Sequence, residues 1–336
     1  MRTANRLSVM IIILLLTALV AACGGKANDA LPAPTTSAPA PATETAPTSQ
    51  LAESAPYPRT IVDFKNNSVE LKTEPQRIAV TDYVILSHLV SLDYFPMAAN
   101  MYDSYISIME SMKSRLQGKT VENLGEWDAI NLEKTASLSP DLILSSTSDA
   151  DKVYEQLNAI APVLFYDPVK MGNTETDWKW GVRELAKVIA QEEKAEQVIA
   201  DTEQVMAEKK TEFAAHEGKT VAFFLYSKAR GGFTMQSYTA LKVYYEGLGL
   251  APALRNEAVE TVSMEGLVDL DPDYIFVFET NGSVAQELEE IKNDKVWNGL
   301  KAVKNDQVFF ANFSMAVMSP VNILYGIDVI DKAMNK

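Results

Sequence analysis

NLEKTASLSPDLIL (residues 131–144) is echoed 132 residues later by SMEGLVDLDPDYIF (residues 263–276). In both stretches a Glu stands seven positions before a Pro-Asp pair, a Leu fills the same place between them, and an apolar run follows. The pattern predicts a short helix that leads through the Pro-Asp turn into a buried strand. Its recurrence indicates that the chain contains two copies of one helix-to-strand unit.

Strand-like and helix-like segments alternate around both copies. They run over residues 77–166 around the first copy and over residues 220–311 around the second. Alternation of this kind predicts α/β architecture with a parallel sheet in each region. We therefore expect two Rossmann-like lobes, an N-terminal lobe over residues 59–176 and a C-terminal lobe over residues 217–336. A ligand cleft between them is expected at the carboxyl ends of the strands.

Residues 177–216, between the two lobes, carry the clearest helical pattern in the chain. Apolar residues recur every three or four positions from Val182 to Phe213, among many Glu and Lys residues, and neither Gly nor Pro occurs between Val182 and His216. The pattern predicts one long α-helix of about 50 Å that joins the lobes and limits their movement.

The amino terminus has the form of a lipoprotein signal. Arg2 and Arg6 precede an apolar run, and Cys23, the single cysteine of the chain, follows the small residues Ala21 and Ala22. Residues 1–22 are therefore predicted to be a signal peptide, and Cys23 to be the acylated residue that anchors the mature chain. An ordinary signal peptide with an incidental Cys is the alternative.

The next segment, residues 23–58, is rich in Ala, Pro and Thr and holds seven of the fifteen prolines. Such a composition predicts a disordered tether, with a reach of roughly 30 Å when coiled and about 100 Å when extended. The chain has 30 basic and 45 acidic residues, so loss of Arg2 and Arg6 with the signal would leave a formal charge of −17. This charge argues against nucleic acid as a partner.

Motifs for catalysis are scarce. GKT occurs at residues 118–120 and 218–220, but neither copy has the upstream Gly that a phosphate loop needs. The only histidines are His88, inside an apolar helix and therefore predicted to be structural, and His216. No nucleophile elbow or zinc-binding motif is found. The alternative from another class is an extracytoplasmic α/β hydrolase that depends on His88 or His216.

Several phrases together resemble one family. PQRIAV opens the first lobe, both copies of the repeated unit follow the same pattern, and WNGLKAVKNDQVFF and SPVNILYGIDVIDKAM close the chain. With the acylation signal and the linking helix, residues 60–336 resemble the class III substrate-binding lipoproteins of ABC importers, which take up ferric siderophores, haem and cobalamin. The resemblance implies a lipid-anchored binding protein on the extracytoplasmic face of the cell membrane, without enzymatic activity.

The resemblance also implies a role for the repeated Glu. In that family one Glu from each lobe, placed as Glu133 and Glu265 are, docks onto Arg residues of a permease dimer. Two exposed carboxylates would provide orientation rather than raw affinity. The alternative is that each carboxylate only favours the dipole of its own helix, because each lies in the first turn. That alternative does not explain why both copies keep the residue at one spacing.

Candidate ligand contacts lie where strands are expected to end. Tyr102 and Trp127 match aromatic cleft positions of cobalamin-binding relatives, and Tyr83 directly follows the first predicted strand. In the second lobe the loop after residues 220–226 is expected to face the cleft with four side chains: Lys228, Arg230, Phe233 and Tyr238. An Arg guanidinium binds carboxylates in bidentate fashion, which suits an anionic ligand.

The ligand is expected to be a chelated iron(III) complex, because the chain offers no cluster of sulfur or imidazole ligands for a bare metal. Few cations are found in the candidate loop, which favours a hydroxamate or carboxylate siderophore over a triply charged catecholate. Haem and cobalamin remain alternatives. No resident cofactor is expected, and the protein is expected to act as a monomer.

Overall fold

The computed structural model describes residues 56–126, 129–167, 170–171, 177–227, 232–279, 286 and 289–335. The first lobe is built around a five-stranded sheet of order β5-β4-β3-β8-β9, in which all neighbours are parallel. Its strands are β1 (Arg59–Val62), β2 (Ser68–Leu71), β3 (Ile78–Val80), β4 (Ala98–Ala99), β5 (Glu122–Asn123), β6 (Gly125–Glu126), β7 (Ala129–Ile130), β8 (Leu142–Ser146) and β9 (Val163–Tyr166). Its helices are α1 (Tyr83–Ser91), α2 (Tyr102–Ser107), α3 (Glu110–Leu116), α4 (Leu132–Ser137) and α5 (Thr147–Asn158).

The second lobe holds a sheet of order β13-β11-β10-β14-β15, with β12 also paired to β10. Its strands are β10 (Thr220–Ser227), β11 (Gly232–Met235), β12 (Ala251–Pro252), β13 (Glu260–Val262), β14 (Tyr274–Glu279) and β15 (Val308–Asn312). The helices that follow the connector are α8 (Lys242–Leu248), α9 (Met264–Leu270), α10 (Lys301–Lys304) and α11 (Pro320–Met334). This is the α/β architecture that the alternation of segments predicts.

The expectation of a purely parallel sheet is wrong for the second lobe. Strand β11 pairs antiparallel with β10, and β13 pairs antiparallel with β11. Only residues 228–231 separate β10 from β11, which is too short for the crossover that a parallel neighbour requires. The chain therefore turns back on itself at this point, and the second sheet is mixed.

The connector is two helices rather than one. Helix α6 (Asp177–Val188) is followed by α7 (Glu192–Phe213), and a 3₁₀ turn continues to His216. Ala190, between the helices, has a left-handed backbone with φ of 52°. The carbonyl groups at the end of α6 find partners outside the helix. The Tyr57 hydroxyl donates to Val188 O at 2.7 Å, and the Arg59 guanidinium donates to Lys187 O at 2.6 Å. The last carbonyl groups of a helix have no hydrogen-bond partner within the helix, and here Tyr57 and Arg59 provide partners. The helix can therefore end at this point without a Gly or Pro.

The core of the first lobe includes one buried histidine. His88 is fully buried on α1, where its Nε2–H donates to the Met171 carbonyl at 2.9 Å and its ring packs on Gly181 of α6. Burial lowers the pKa of His88 to about 4, although the hydrogen bond to Met171 acts in the opposite direction. The imidazole is neutral near pH 7, and the prediction that His88 is structural is confirmed.

The last helix, α11, packs against both lobes. It contacts α7 and also α1 and α3 of the first lobe, and Ser91 Oγ of α1 accepts a hydrogen bond from the Val321 amide at 3.1 Å. One face of α11 is apolar and buried, through residues such as Ile323, Ile327 and Ile330. Among the described residues, none of the helices combines the length and apolar character needed to cross a bilayer.

Candidate functional site: the interlobe cleft and two matched glutamates

Strand β3 of the first lobe and strand β15 of the second lobe both end close to the other lobe. After β3, Asp82 caps helix α1 by accepting a hydrogen bond from the Val84 amide at 2.7 Å, and this fixes Tyr83 as the first helical residue. After β15, the chain forms a 3₁₀ turn over Phe313–Ala316. Tyr83 and Phe313 thus lie at the carboxyl ends of strands from different lobes, with ring centroids 6.4 Å apart.

Three aromatic rings meet at this place, and we call Tyr83, Tyr105 and Phe313 the cleft aromatic cluster. Tyr83 and Tyr105 are stacked, with centroids 4.0 Å apart and an angle of 14° between the rings. The Phe313 ring meets Tyr105 edge-on at 6.1 Å. All three side chains are half-buried. Such geometry suits the charge distribution of aromatic rings and leaves part of each ring accessible.

The cluster is uncharged near pH 7. Burial raises the pKa of Tyr83 to about 12, with a smaller upward effect from Asp82, and it also raises the pKa of Tyr105. The Tyr83 and Tyr105 hydroxyls form a hydrogen bond with each other. The cluster therefore offers neutral, flat surfaces rather than an ionic contact.

The second lobe caps a helix of the first. Helix α3 has no side-chain cap from its own preceding residue, Met109. Instead, Asn312 Oδ1 accepts from the Glu110 amide at 2.9 Å, and Ser314 Oγ accepts from the Ser111 amide at 3.3 Å. These two residues flank Phe313, so the turn that satisfies the helix end also positions the ring.

A buried polar seam extends this contact. Ser111 Oγ lies 2.9 Å from Ser314 Oγ and also donates to Asn322 Oδ1 of α11, and both Ser314 and Asn322 are fully buried. Buried hydroxyls and amides demand partners, so these contacts specify one relative position of the two lobes more strongly than apolar contacts would.

The residues expected at the cleft lie in different parts of the protein. Tyr102 begins α2 and lines an open depression of about 470 Å³, together with Ile106, Glu110, Lys113, Ser114, Leu116 and Gln117. Tyr83 lies in the cleft aromatic cluster, as described above. Trp127, Lys228 and Arg230 lie outside the described residues, so their placement stays a prediction.

Phe233 and Tyr238 do not face a cleft, which corrects the expectation from sequence. Phe233 lies on β11, is 2% exposed, and stacks on Trp297 at 5.4 Å inside the second lobe. Tyr238 stacks on Tyr245 at 5.3 Å, and its hydroxyl donates to Glu246 at 2.5 Å. Phe233 is packed inside because β11 returns antiparallel along β10 instead of forming a loop at the strand end, and Tyr238, which follows β11, is fixed by a hydrogen bond from its amide to Asn256 O at 2.8 Å.

Tyr105 and Phe313, by contrast, lie where the two lobes meet, although neither was predicted from the sequence. Tyr105 sits in a short helix of mixed polarity. Phe313 follows the last strand in VFFANF, and its position after a strand end was the signal that could have identified it. No local sequence pattern identifies Tyr105, because its role depends on stacking with Tyr83, which belongs to another helix.

Glu133 and Glu265 are both exposed, in the first turns of α4 and α9. The two helices begin in the same way, since Asn131 Oδ1 accepts from the Lys134 amide at 2.8 Å and Ser263 Oγ from the Gly266 amide at 3.1 Å. They also end alike, with a left-handed residue eight positions after the cap, at Ser139 (φ 48°) and Asp271 (φ 32°). The two glutamates therefore occupy equivalent positions in a structural repeat.

The course of the chain places these glutamates near the cleft edge. Helix α4 leads into β8, and α9 leads into β14, and both strands run parallel to their neighbours. A helix before such a strand runs antiparallel to it, so its first turn lies at the carboxyl edge of the sheet. Among the described residues, no group of three or more His, Cys, Asp or Glu side chains is arranged to hold a metal ion.

Comparisons with known proteins agree with this geometry. The family model described as periplasmic binding protein matches residues 104–314, more than half of the chain. The Bacillus subtilis iron-uptake system-binding protein is 27% identical over 314 residues, covering 91% of this chain and 90% of that protein. The probable siderophore-binding lipoprotein YfiY of the same organism is 28% identical over 263 residues, covering 74% and 78%.

Solved structures share the fold. The Bacillus subtilis triscatecholate siderophore binding protein FeuA, complexed with ferri-bacillibactin, aligns with a TM-score of 0.67 at 23% identity, covering 82% of this chain and 98% of that chain. Two α/β lobes joined by a helical connector, whose longer helix α7 has 22 residues, are thus the architecture of this chain.

Proposed function

Because the chain belongs to the periplasmic binding protein family, we propose that it captures a ferric siderophore outside the cytoplasm and delivers it to the permease of an ABC importer. The observation that carries this proposal is the matched placement of Glu133 and Glu265 at the edge of an interlobe cleft. Relatives named for iron uptake and for siderophore binding support the ligand class. The family is one of binding proteins, so no catalytic turnover is expected.

The proposal includes attachment to the membrane through an acylated Cys23 after removal of residues 1–22. Residues 23–55 would then act as a tether that keeps the lobes close to the permease. The tether was expected to reach residue 58, but Tyr57 bonds to Val188 O and belongs to the folded part. The acylation signal in the sequence and a relative named as a lipoprotein support this placement on the extracytoplasmic face of the cell membrane. Metabolic labelling with a fatty acid, compared between the wild type and Cys23→Ala, tests it.

The two glutamates would contact Arg residues on the two permease subunits. Charge-assisted contacts of this kind are bidentate and directional, and two of them at separate points define an orientation. Within the described part of the chain, neither carboxylate forms an ion pair with another residue, so both remain available to a partner.

Binding is tested by titrating the purified protein with ferric siderophores while tryptophan fluorescence is measured. The panel should contain ferric hydroxamate, catecholate and citrate complexes, with haem and cobalamin for the alternative ligands. The expected result is saturable quenching by a ferric siderophore, with the ligand recovered unchanged. Multiple turnover of any ligand, lost in His88→Gln or His216→Gln, would instead support the hydrolase alternative.

Delivery is tested separately by uptake in cells whose own copy of the protein is replaced by Glu133→Ala, Glu265→Ala or both. Uptake should fall strongly in the double variant while ligand affinity stays within twofold of the wild type. Glu193→Ala is the matched control, because Glu193 is also an exposed glutamate in the first turn of a helix, α7. Equal losses of uptake in the control and the double variant would favour the helix-dipole explanation.

A further inference from the structure

We propose that the cleft aromatic cluster is the contact surface for an aromatic arm of the siderophore, so that Tyr83, Tyr105 and Phe313 select ferric complexes whose iron-binding groups carry aryl rings. This inference rests on the proposed function and deepens it, because it names the residues and the chemical class that they recognise. It goes against the preference for hydroxamate or carboxylate ligands that the scarcity of cations suggested.

The position of the cluster is the first argument. Its members come from both lobes, and Tyr83 and Phe313 each follow the carboxyl end of a strand, where ligands of α/β proteins bind. Each side chain is half-buried, so one part of every ring packs on the core and another part remains accessible. A ligand in the cleft would therefore touch both lobes through the same kind of surface.

The chemistry of the cluster is the second argument. The stacked pair Tyr83–Tyr105 and the edge contact to Phe313 already show the geometries that aromatic rings prefer with one another. A further ring added to such a group strengthens binding by about two- to tenfold beyond simple burial of area. Trihydroxamate and citrate chelators have no aromatic ring, so their affinity would not be increased in this way.

The attachment of Phe313 is the third argument. Asn312 and Ser314, on either side of Phe313, accept hydrogen bonds from the first two amides of α3 in the opposite lobe. The ring is consequently held against Tyr105 only while the lobes keep this contact. Asn312 and Ser314 are thus positioning residues for the ligand surface, and they link its shape to the relative position of the lobes.

The test compares two ferric complexes of equal denticity, a tris-catecholate and a linear trihydroxamate, on the wild type and on Phe313→Leu and Tyr105→Leu. Both variants should lose about five- to tenfold in affinity for the tris-catecholate and less than twofold for the trihydroxamate. For each ligand, the affinity of the variant is divided by the affinity of the wild type, so the difference in charge between the two ligands does not affect the comparison. Phe313→Tyr and Tyr105→Phe, which keep a ring, should bind both complexes as the wild type does.

The positioning role has its own readout. Asn312→Ala should weaken binding of the tris-catecholate about fivefold, and Asn312→Asp, which keeps an acceptor for the Glu110 amide, should restore this affinity.

Equal losses of affinity for both ligands, or unchanged affinity in Phe313→Leu, would overturn the inference, as would a wild type that binds only the trihydroxamate. That last result would leave the proposed function intact, whereas failure to bind any ferric siderophore would refute the proposed function itself. Near-ultraviolet circular dichroism establishes that each variant is folded.

Discussion

Asp141 and Asp273 stand at the same place in the two lobes, and each carboxylate accepts backbone hydrogen bonds from the residues that start the central strand of its lobe. Asp141 accepts from the Gln76 and Arg77 amides at 2.7 and 3.0 Å, just before β3. Asp273 accepts from the Thr220 amide at 3.0 Å, at the start of β10. The Asp of each recurring Pro-Asp pair therefore links neighbouring strands through hydrogen bonds, and we call each of these two sets of bonds a clamp.

We expect loss of either clamp to lower the free energy of unfolding. Asp273 has a side chain only 17% exposed and also pairs with Lys219, so Asp273→Ala should cost about 2 kcal/mol, and the more exposed Asp141→Ala about 1 kcal/mol. Urea unfolding of both variants measures this. Asp269→Ala, an exposed residue on α9, serves as the control and should change stability by less than about 0.5 kcal/mol. Equal effects at Asp269 and Asp273 would contradict the clamp.

The break between α6 and α7 predicts that a substitution by glycine stabilises the protein, whereas glycine within a helix normally destabilises it. Ala190 has a left-handed backbone, which disfavours a side chain by about 1–2 kcal/mol. Ala190→Gly should therefore raise the free energy of unfolding by up to about 1 kcal/mol after the entropy loss of glycine is subtracted. In an unbroken helix the same change would lower it by about 1 kcal/mol. Thermal unfolding of this one variant distinguishes the two arrangements.

Close packing between α11 and α8 makes Gly326 intolerant of a side chain. A Cβ atom there would collide with the hydroxyl oxygen of Tyr244, which is fully buried. Gly326→Ala should destabilise the protein by about 1–3 kcal/mol, although alanine is the better helix former. Gly299→Ala is the matched control, because no atom lies within 4 Å of the Cβ it would add. A stable Gly326→Ala variant, judged by urea unfolding, would show that the two helices pack differently.

The buried imidazole of His88 predicts a dependence of stability on pH. Its pKa is lowered to about 4 in the folded protein from an ordinary value of 6.5, so between these values only the unfolded chain binds the proton. Stability should decrease as the pH falls from about 6.5 to about 4, by about 3 kcal/mol in total. His88→Gln should lack this contribution in urea unfolding measured at several pH values. An unchanged pH dependence in that variant would mean that other groups cause it.

Local signals in the sequence predicted the repeated unit well. The cap residues Asn131 and Ser263, the Pro-Asp turns and the apolar runs after them all act within about a dozen residues, and the helices and strands formed where these signals lay. The fold class followed, because alternating strands and helices leave few other arrangements. The break after α6 was not predicted, since its cause, Tyr57 and Arg59, is more than 120 residues distant in sequence.

The site was harder to predict because it depends on contacts between distant segments. Phe233 and Tyr238 look like loop residues in the sequence, and only the pairing of β11 with β10 reveals that they are packed inside. Phe313 and Tyr105 belong to segments about 200 residues apart, and nothing local in either marks the contact. Sequence patterns therefore predicted a cleft at the carboxyl ends of the strands, but neither which strand ends would meet nor which side chains would fill the space between them.

The way in which α11 covers α1 and α3 has a consequence for folding. The apolar faces of these two helices are buried by a helix that lies more than 200 residues later in the chain. Contacts of such large sequence separation form only after a long loop has closed, so we expect this part of the hydrophobic core to be completed late in folding.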